Sequence, residues 1–270
     1  MSLSRTHLAA APLIAAALVA AVPPVSYAEA ARPAPYTLPR PATTPCGEER
    51  DPGWSPAATR LPDPADSHHA YSGNGYLGTR VPPLGAGYDE RGGATGWPLF
   101  TPRYDGAFAA GLYAHEPATT ADRQVLAALP SWTTLDVRIG GETLGPESRI
   151  SRYRQSVLLR CGVVRTALRW TTADGRVTDL TYEILTDRSD PHAGAVRLRL
   201  TPRWSGEAHL SPGLDWRGAR RLTRTGGETG GAGTARGTET AGSTGTAGGT
   251  ETFRTLGTDT AGAVATTLRP

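Results

Sequence analysis

The chain has 270 residues, which is long enough for one large β domain or two smaller ones with a buried core. All 28 basic residues are arginine, and the formal net charge is only +3. The arginines are scattered or face acidic neighbours, so the sequence contains no dense basic stripe of the kind that neutralises phosphates. We therefore expect no nucleic-acid partner, and no motif indicates a cofactor.

Residues 1–28 have the order of a secretory signal peptide. Arg5 is followed by the apolar run LAAAPLIAAALVAAV and then by small residues, which matches an n-region, an h-region and a cleavage site. The sequence predicts cleavage after Ala28, with Ala30 as the alternative. The apolar run is too short and too rich in alanine to be a stable membrane anchor, so we expect a secreted, extracellular protein.

Residues 29–64 are rich in proline, as in RPAPYTLPRPATTP. This composition predicts an extended N-terminal segment, here called the lead-in, that either packs on the surface of the folded domain or extends away from it. The lead-in carries Cys46, and the other cysteine of the chain is Cys161. Export places both in an oxidising compartment, so we expect a disulfide between them. Two separate buried thiols are the alternative, because spacing does not establish proximity.

Alternating apolar residues identify the first clear strand. In WTTLDVRIGGE, residues 132–142, the side chains of Leu135, Val137 and Ile139 fall on one face and polar side chains fall on the other. This pattern predicts a half-buried strand that ends at a Gly-Gly turn. The later run AVRLRL repeats the pattern, with arginines on its polar face.

The runs VVRTALRWT and VTDLTYEIL predict a hairpin with a defined register. A two-residue Asp-Gly loop would set the apolar face of one strand against the polar face of the other. The three-residue loop Ala173-Asp174-Gly175 instead matches both faces, and it gives four opposed pairs: Leu168 with Leu180, Val164 with Ile184, Arg169 with Asp179 and Arg165 with Glu183. This register requires Gly175 in the left-handed region, as the bulge residue of the hairpin.

No segment after the signal combines helical periodicity with caps, so the sequence predicts an all-β class. Long strands with one polar, solvent-exposed face and one apolar face need a second sheet to cover the apolar face. This requirement favours a large antiparallel β-sandwich over residues 65–270. The tract at about 225–250 consists almost wholly of Gly, Thr, Ala, Ser and Glu. We expect this tract to be a disordered surface insertion, because it can bury little apolar area.

The segment NGYLGTR, residues 74–80, predicts a hairpin turn, because Asn-Gly before an apolar run is a strong short-range hairpin signal. The alternative is a sharply bent segment threaded through a packed site, for which Gly73, Gly75 and Gly78 would provide the backbone freedom.

Four motifs in series resemble the N-terminal domain of glycoside hydrolase family 65: NGYLGTRVP, YDGAFAAGLY, LPSWTTLDVRIGGE and YRQSVLLRCGVVRTALRW. The resemblance covers residues 67–221 well and residues 253–270 faintly. This family includes acid trehalases, other α-glucosidases, and the maltose, trehalose and kojibiose phosphorylases. The resemblance implies a large antiparallel β-sandwich (a supersandwich) whose glycine-rich motif lies close to the catalytic domain.

Family 65 enzymes carry out their chemistry on an (α/α)6 barrel that follows the sandwich. There a glutamate acts as general acid, while a second carboxylate with water, or inorganic phosphate, attacks the sugar. We expect this chain to end before the barrel, with the sandwich incomplete at its C-terminus and no catalytic residue assigned. The implied partner is an α-linked glucosyl disaccharide or oligosaccharide, bound through the missing barrel.

Titratable and aromatic residues within the predicted sandwich offer few other sites. The carboxylates are expected on solvated strand faces or in turns, and they are Asp89, Glu90, Asp105, Glu116, Asp136 and Glu142. His68 and His69 lack a third ligand at metal spacing, so we predict no metal site. Five aromatic residues could form a sugar-stacking surface, although core packing explains most of them: Tyr71, Tyr76, Tyr88, Trp97 and Trp132.

Two functions remain open. The first is the N-terminal sandwich of a secreted, inverting hydrolase of a trehalose-like disaccharide. Export favours a hydrolase over a phosphorylase, because a sugar phosphate made outside the cell would be hard to recover. The alternative is a stand-alone secreted carbohydrate-binding or surface module without catalysis.

Overall fold

Alternating apolar and polar side chains build two facing antiparallel sheets and three smaller ones in a computed structural model of the chain. The structure describes residues 52–62, 70–87, 106–115, 123–229, 233–237, 243–244 and 247–268. These residues form eighteen strands and two short 3-10 turns, and no α-helix occurs among them. Accordingly, none of them lies in a helix long and apolar enough to cross a membrane. The predicted all-β class is confirmed.

The first large sheet has five strands in the order β1-β9-β10-β11-β12, numbered in chain order. The strands are β1 (Ala57–Ala58), β9 (Arg149–Leu158), β10 (Val163–Thr171), β11 (Val177–Thr186) and β12 (Gly194–Pro202). Every second side chain of β10 and β11 is buried, so one face of this sheet forms half of a core.

The second large sheet has the order β16-β15-β13-β7-β8. Its strands are β7 (Ser131–Ile139), β8 (Glu142–Thr143), β13 (Gly206–Asp215), β15 (Gly233–Gly237) and β16 (Ser243–Thr244). The predicted inner face of β7 is confirmed, because Leu135, Val137 and Ile139 are buried. β7 ends at the predicted turn, where Gly140 and Gly141 both have positive φ.

The main core lies between these two sheets. Leu168, Trp170, Leu180 and Tyr182 of the first sheet form one buried cluster with the inner side chains of β7 and with Ala208 of β13. The leucine and valine side chains of β12 pack against the edge of this cluster. The predicted antiparallel β-sandwich is therefore confirmed.

The predicted β10–β11 register is also confirmed. Leu168 lies opposite Leu180, and Arg169 lies opposite Asp179. The amide of Thr172 donates to the carbonyl oxygen of Arg176 at 3.0 Å and closes the three-residue loop. Gly175 has φ +86°, in the left-handed region that the register requires.

Three smaller sheets complete the fold. One contains β2 (Ala70–Gly73), β3 (Leu77–Val81) and β4 (Ala107–Ala109), and a pair contains β5 (Tyr113–His115) and β6 (Gln124–Leu126). The last contains β14 (Leu222–Thr229), β17 (Ala247–Thr255) and β18 (Ala261–Leu268). Leu77 and Phe253 share a second buried cluster, so the first and the last of these smaller sheets pack on one another.

The structure differs from the disordered insertion predicted at about 225–250. Both ends of this tract are strands, because β14 pairs with β17 from Leu222 and Thr255 to Thr229 and Gly249. Threonine favours an extended backbone, and the buried side chain of Phe253 anchors β17. These residues stabilise strand structure at both ends of the glycine-rich tract. Three parts of the tract lie outside the described residues: 230–232, 238–242 and 245–246.

The described part of the lead-in lies against the first sheet. A 3-10 turn at Pro52–Trp54 precedes β1, and Ala57 pairs with Ser156 of β9. Cys161 lies in the turn between β9 and β10 and is disulfide-bonded. Cys46 and the signal peptide lie outside the described residues, so the Cys46–Cys161 pairing and the cleavage site remain predictions.

The segment after β3 bridges the two large sheets. Gln155 of β9 donates to the carbonyl oxygen of Pro82 at 2.9 Å, and the amide of Gly87 donates to the carbonyl oxygen of Thr133 of β7 at 3.2 Å. Gly85 lies so close to the first sheet that a Cβ atom would meet the Cβ of Thr166 at 2.8 Å. This close approach explains a glycine at this position.

We expect Gly85→Ala to lower the free energy of unfolding by about 2–4 kcal/mol, because a left-handed alanine and an overpacked core are both unfavourable. Gly87→Ala is the matched control, because Gly87 also has positive φ but a Cβ there would meet nothing within 4 Å. This control should cost only about 1 kcal/mol. Urea unfolding of both variants measures the difference, and equal losses would contradict the packing argument.

We expect Asp179→Asn to cost about 1 kcal/mol near pH 6, because the carboxylate is partly exposed and solvent screens its ion pairs. The hydrogen bond from Arg169, aided by Arg203, lowers the pKa of Asp179 to about 2 from an ordinary value of 3.8. A lowered folded-state pKa stabilises the protein above pH 4, and this contribution disappears as the pH falls towards 2. Urea unfolding between pH 6 and pH 2 should show the two proteins converging, and a constant difference would contradict this origin.

Candidate functional site

The NGYLGTR segment forms the β2–β3 hairpin, which confirms the turn. The Asn74 carboxamide oxygen accepts from the amides of Tyr76 at 3.0 Å and Leu77 at 2.8 Å. Its amide nitrogen donates to the carbonyl oxygens of Asp187 at 2.6 Å and Pro191 at 3.0 Å. One asparagine side chain therefore closes the turn and ties it to the loop between β11 and β12.

Two tyrosines are exposed on this hairpin. Arg80 donates to the Tyr71 hydroxyl from Nε at 3.0 Å and from Nη2 at 2.8 Å. The Tyr76 ring lies 4.3 Å from the His192 ring, between centroids, at an interplanar angle of 58°. Trp132 is half-buried and packs where a Cβ on Gly194 would overlap its ring. Tyr88 and Trp97 lie outside the described residues, so Tyr71 and Tyr76 remain as the exposed part of the predicted stacking surface.

A polar groove lies on the outer face of the second large sheet. It has a volume of about 380 Å³, and we call it the outer groove; five side chains line it: Asp136, Arg138, Thr143, His209 and Ser211. Strand pairing brings them together, because Asp136 lies opposite Ser211 and Arg138 lies opposite both His209 and Thr143. The groove therefore depends on three adjacent strands, β8, β7 and β13.

Within the described part of the chain, none of the five side chains of the outer groove forms a hydrogen bond or an ion pair. Partial desolvation raises the pKa of Asp136, and the negative charge of Asp215 raises this pKa further, whereas Arg217 lowers it. The groove thus presents one carboxylate, one guanidinium, one imidazole and two hydroxyl groups whose hydrogen-bonding capacity is open to a ligand.

The predicted carboxylates have different roles where the structure describes them. Asp136 lies on a solvated strand face, as predicted, and also lines the outer groove. Glu142 accepts from the amide of Ala173 at 2.7 Å and so supports the β10–β11 loop. Four predicted carboxylates lie outside the described residues: Asp89, Glu90, Asp105 and Glu116.

A carboxylate beside the outer groove, Asp215, is held by an arginine. Asp215 is the carboxylate that acts on Asp136 electrostatically, but Arg217 holds both of its oxygens, at distances from 2.5 to 3.1 Å. The side chain of Asp215 is also only 11% exposed, which leaves little access for a substrate. Among the described residues no three His, Cys, Asp or Glu side chains are grouped to hold a metal ion, and His68 and His69 lie outside them.

Sequence reasoning missed four residues of the outer groove. Arg138, Thr143, His209 and Ser211 were not singled out, although EAHLS alternates and so places His209 and Ser211 on one face of a strand. The missing information was the pairing of β13 with β7, which are distant in sequence.

Comparisons with known proteins give the family. Residues 66–268 match the profile of the glycosyl hydrolase family 65 N-terminal domain. The chain is 35% identical over 161 residues to a cell wall acid trehalase of Candida albicans, covering 48% of this chain and 15% of that protein. It is 32% identical over 141 residues to an uncharacterized glycosyl hydrolase of Mycobacterium tuberculosis, covering 50% of this chain and 10% of that protein.

A solved structure has the same fold. A putative kojibiose phosphorylase from the human microbiome superposes with a TM-score of 0.53 at 14% identity, covering 80% of this chain and 32% of that one. The chain thus spans only a small part of the length of each of these relatives. The family profile matches three quarters of the chain, from residue 66 to residue 268, and the chain therefore belongs to glycosyl hydrolase family 65 through its N-terminal domain.

Proposed function

We propose that the chain is the non-catalytic N-terminal β-sandwich of a secreted, inverting hydrolase that acts on a trehalose-like α-glucosyl disaccharide. The observation that carries the proposal is the similarity to acid trehalases over about half of the chain, at 35% identity to the Candida albicans protein and 27% to a periplasmic acid trehalase of Saccharomyces cerevisiae. The substrate is proposed only as a class.

The charge arrangement supports a non-catalytic role for the sandwich. Inverting hydrolysis needs two carboxyl groups, separated widely enough to hold a water molecule, with one protonated and one ionised. Arginine side chains instead hold Asp179, Glu183, Asp215 and Glu251. These carboxylates are occupied by their partners, and we propose that the catalytic carboxylates lie outside the described residues. The chemistry proposed requires no cofactor.

Secretion is supported by three independent observations. Residues 1–28 have the order of a signal peptide, and Cys161 is disulfide-bonded, as is usual for exported proteins. Three relatives are described as cell wall, periplasmic, and periplasmic or secreted acid trehalases. We propose an extracellular location for this protein on the same grounds.

A stand-alone carbohydrate-binding module is the second candidate, and the exposed Tyr71 and Tyr76 rings favour it. Their exposed fractions are 53% and 38%, so both could contact a sugar ring. The coding sequence downstream of Pro270 distinguishes the two candidates. A frame that encodes a helical barrel would support the hydrolase, and a stop codon with its own terminator would support the module.

We expect the chain without residues 1–28 to release no glucose from trehalose, kojibiose or maltose above the buffer blank. General acid or base assistance contributes about a hundredfold to ten-thousandfold in rate, and we propose that the carboxylates that supply it lie outside the described residues. Coupled glucose detection between pH 4 and pH 7 measures the release. Turnover that Asp136→Asn abolishes and the control Asp259→Asn retains would place an active site in the sandwich and overturn the proposal.

A further inference from the structure

The charged side chains on the two outer faces of the sandwich differ in whether they form ion pairs. On the first sheet, Glu183 binds Arg165 at 2.7 Å and Arg197 at 3.4 Å. Asp179 similarly binds Arg169 and Arg203, at 2.6 and 3.0 Å. Each of these two carboxylates is therefore bound by two arginines, one on β10 and one on or just after β12.

The outer groove on the second sheet has opposite charges without such pairing. Asp136 and Arg138 are two residues apart on β7 and so lie on the same face of the strand, but they form no ion pair within the described part of the chain. His209 and Ser211 flank them on β13, and Thr143 flanks them on β8. A concave surface whose donors and acceptors are unused can bind a ligand without first breaking internal contacts.

The charges of the outer groove restrict the class of ligand. An anion would be attracted by Arg138 but repelled by Asp136 and by the nearby Asp215. A cation would be attracted by Asp136 and Asp215 but repelled by Arg138 and Arg217. The lining contains no Phe, Tyr, Trp, Leu, Ile or Val side chain, so a flat apolar ligand would find no large apolar surface to pack against. A neutral ligand with many neighbouring hydroxyl groups is not repelled by either charge, and it can form hydrogen bonds with the polar lining.

We propose that the outer groove binds a neutral saccharide, with Asp136 accepting hydrogen bonds from sugar hydroxyls and Arg138 donating to sugar oxygens. Charge-assisted hydrogen bonds of this kind are stronger than neutral ones, and adjacent hydroxyls can engage both groups together. Thr143, His209 and Ser211 supply further donors and acceptors at the sides of the groove. The volume of about 380 Å³ lies in the range of small-molecule sites and suits one or two sugar units.

This binding site is distinct from the proposed catalytic function and does not depend on it. The groove lies on the outer face of the second sheet, whereas the exposed tyrosines lie on the β2–β3 hairpin. A shallow site without an aromatic platform should bind weakly, with a Kd on the order of millimolar. Such a site would hold the protein near a saccharide surface or polymer only through repeated contacts.

The test is an NMR titration of the chain without residues 1–28, using maltose and trehalose as separate probes up to 50 mM. We expect saturable shifts of backbone amides in β7, β8 and β13. Asp136→Asn and Arg138→Gln should each weaken binding by about tenfold, the loss typical of a hydrogen bond to a charged group. Arg199→Gln, an exposed arginine on the outer face of the first sheet, is the matched control and should leave the Kd unchanged.

Each outcome bears on the proposal. No saturable shift with either sugar, or equal affinity in Asp136→Asn and wild type, would overturn it. Loss of binding in Tyr76→Ala alone would move the site to the hairpin, and stronger, salt-dependent binding of glucuronate would identify an anion site instead. Ser211→Ala provides a second, milder variant if a charge substitution impairs folding, and it should weaken binding severalfold. The glucose-release assay reports separately on catalysis.

Discussion

The close approach of the segment 82–87 to both large sheets is the constraint on which the sandwich depends. Gly85 lies against Thr166 and the fully buried Tyr182, where a Cβ atom would come within about 3 Å of each. Gln155 then uses its amide to bind both the carbonyl oxygen of Pro82 and the hydroxyl of Thr166. Since Gly87 is bonded to β7, this segment couples β9 and β10 of the first sheet to the second sheet. The inner faces are thereby covered, and the outer faces are left to solvent.

The outer faces then differ because of where their charges fall across strands. On β10–β12, acids lie opposite arginines in the register itself, since Glu183 lies opposite Arg165 on β10 and Arg197 on β12. On β7–β13, Asp136 faces Ser211 and Arg138 faces His209, so neither charge meets an opposite one across the strands. Strand pairing alone therefore makes one face internally satisfied and leaves the other with unused hydrogen-bonding groups.

The parts of the fold that local chemistry determines could be predicted from the sequence. The β10–β11 register follows from matching two faces across a short loop, and the burial of Leu135 follows from alternation within one strand. The outer groove could not be predicted, because it needs β13 to pair with β7 across a long sequence separation. The strands within the tract at 225–250 were missed because composition favoured disorder, whereas pairing partners and the buried Phe253 determine the structure there.

The segment NGYLGTR begins the first of the four motifs that carry the family resemblance, and the structure gives it a positioning role. Gly75 has φ +97°, which lets Asn74 close the turn and bind two carbonyl groups of the β11–β12 loop. Thr79 is fully buried and donates to the carbonyl oxygen of Gly106 at 3.2 Å, which joins β3 to the start of β4. Leu77 enters the second buried cluster. The motif therefore fixes a hairpin and a loop relative to the sandwich, and its side chains account for the fold without requiring a catalytic role.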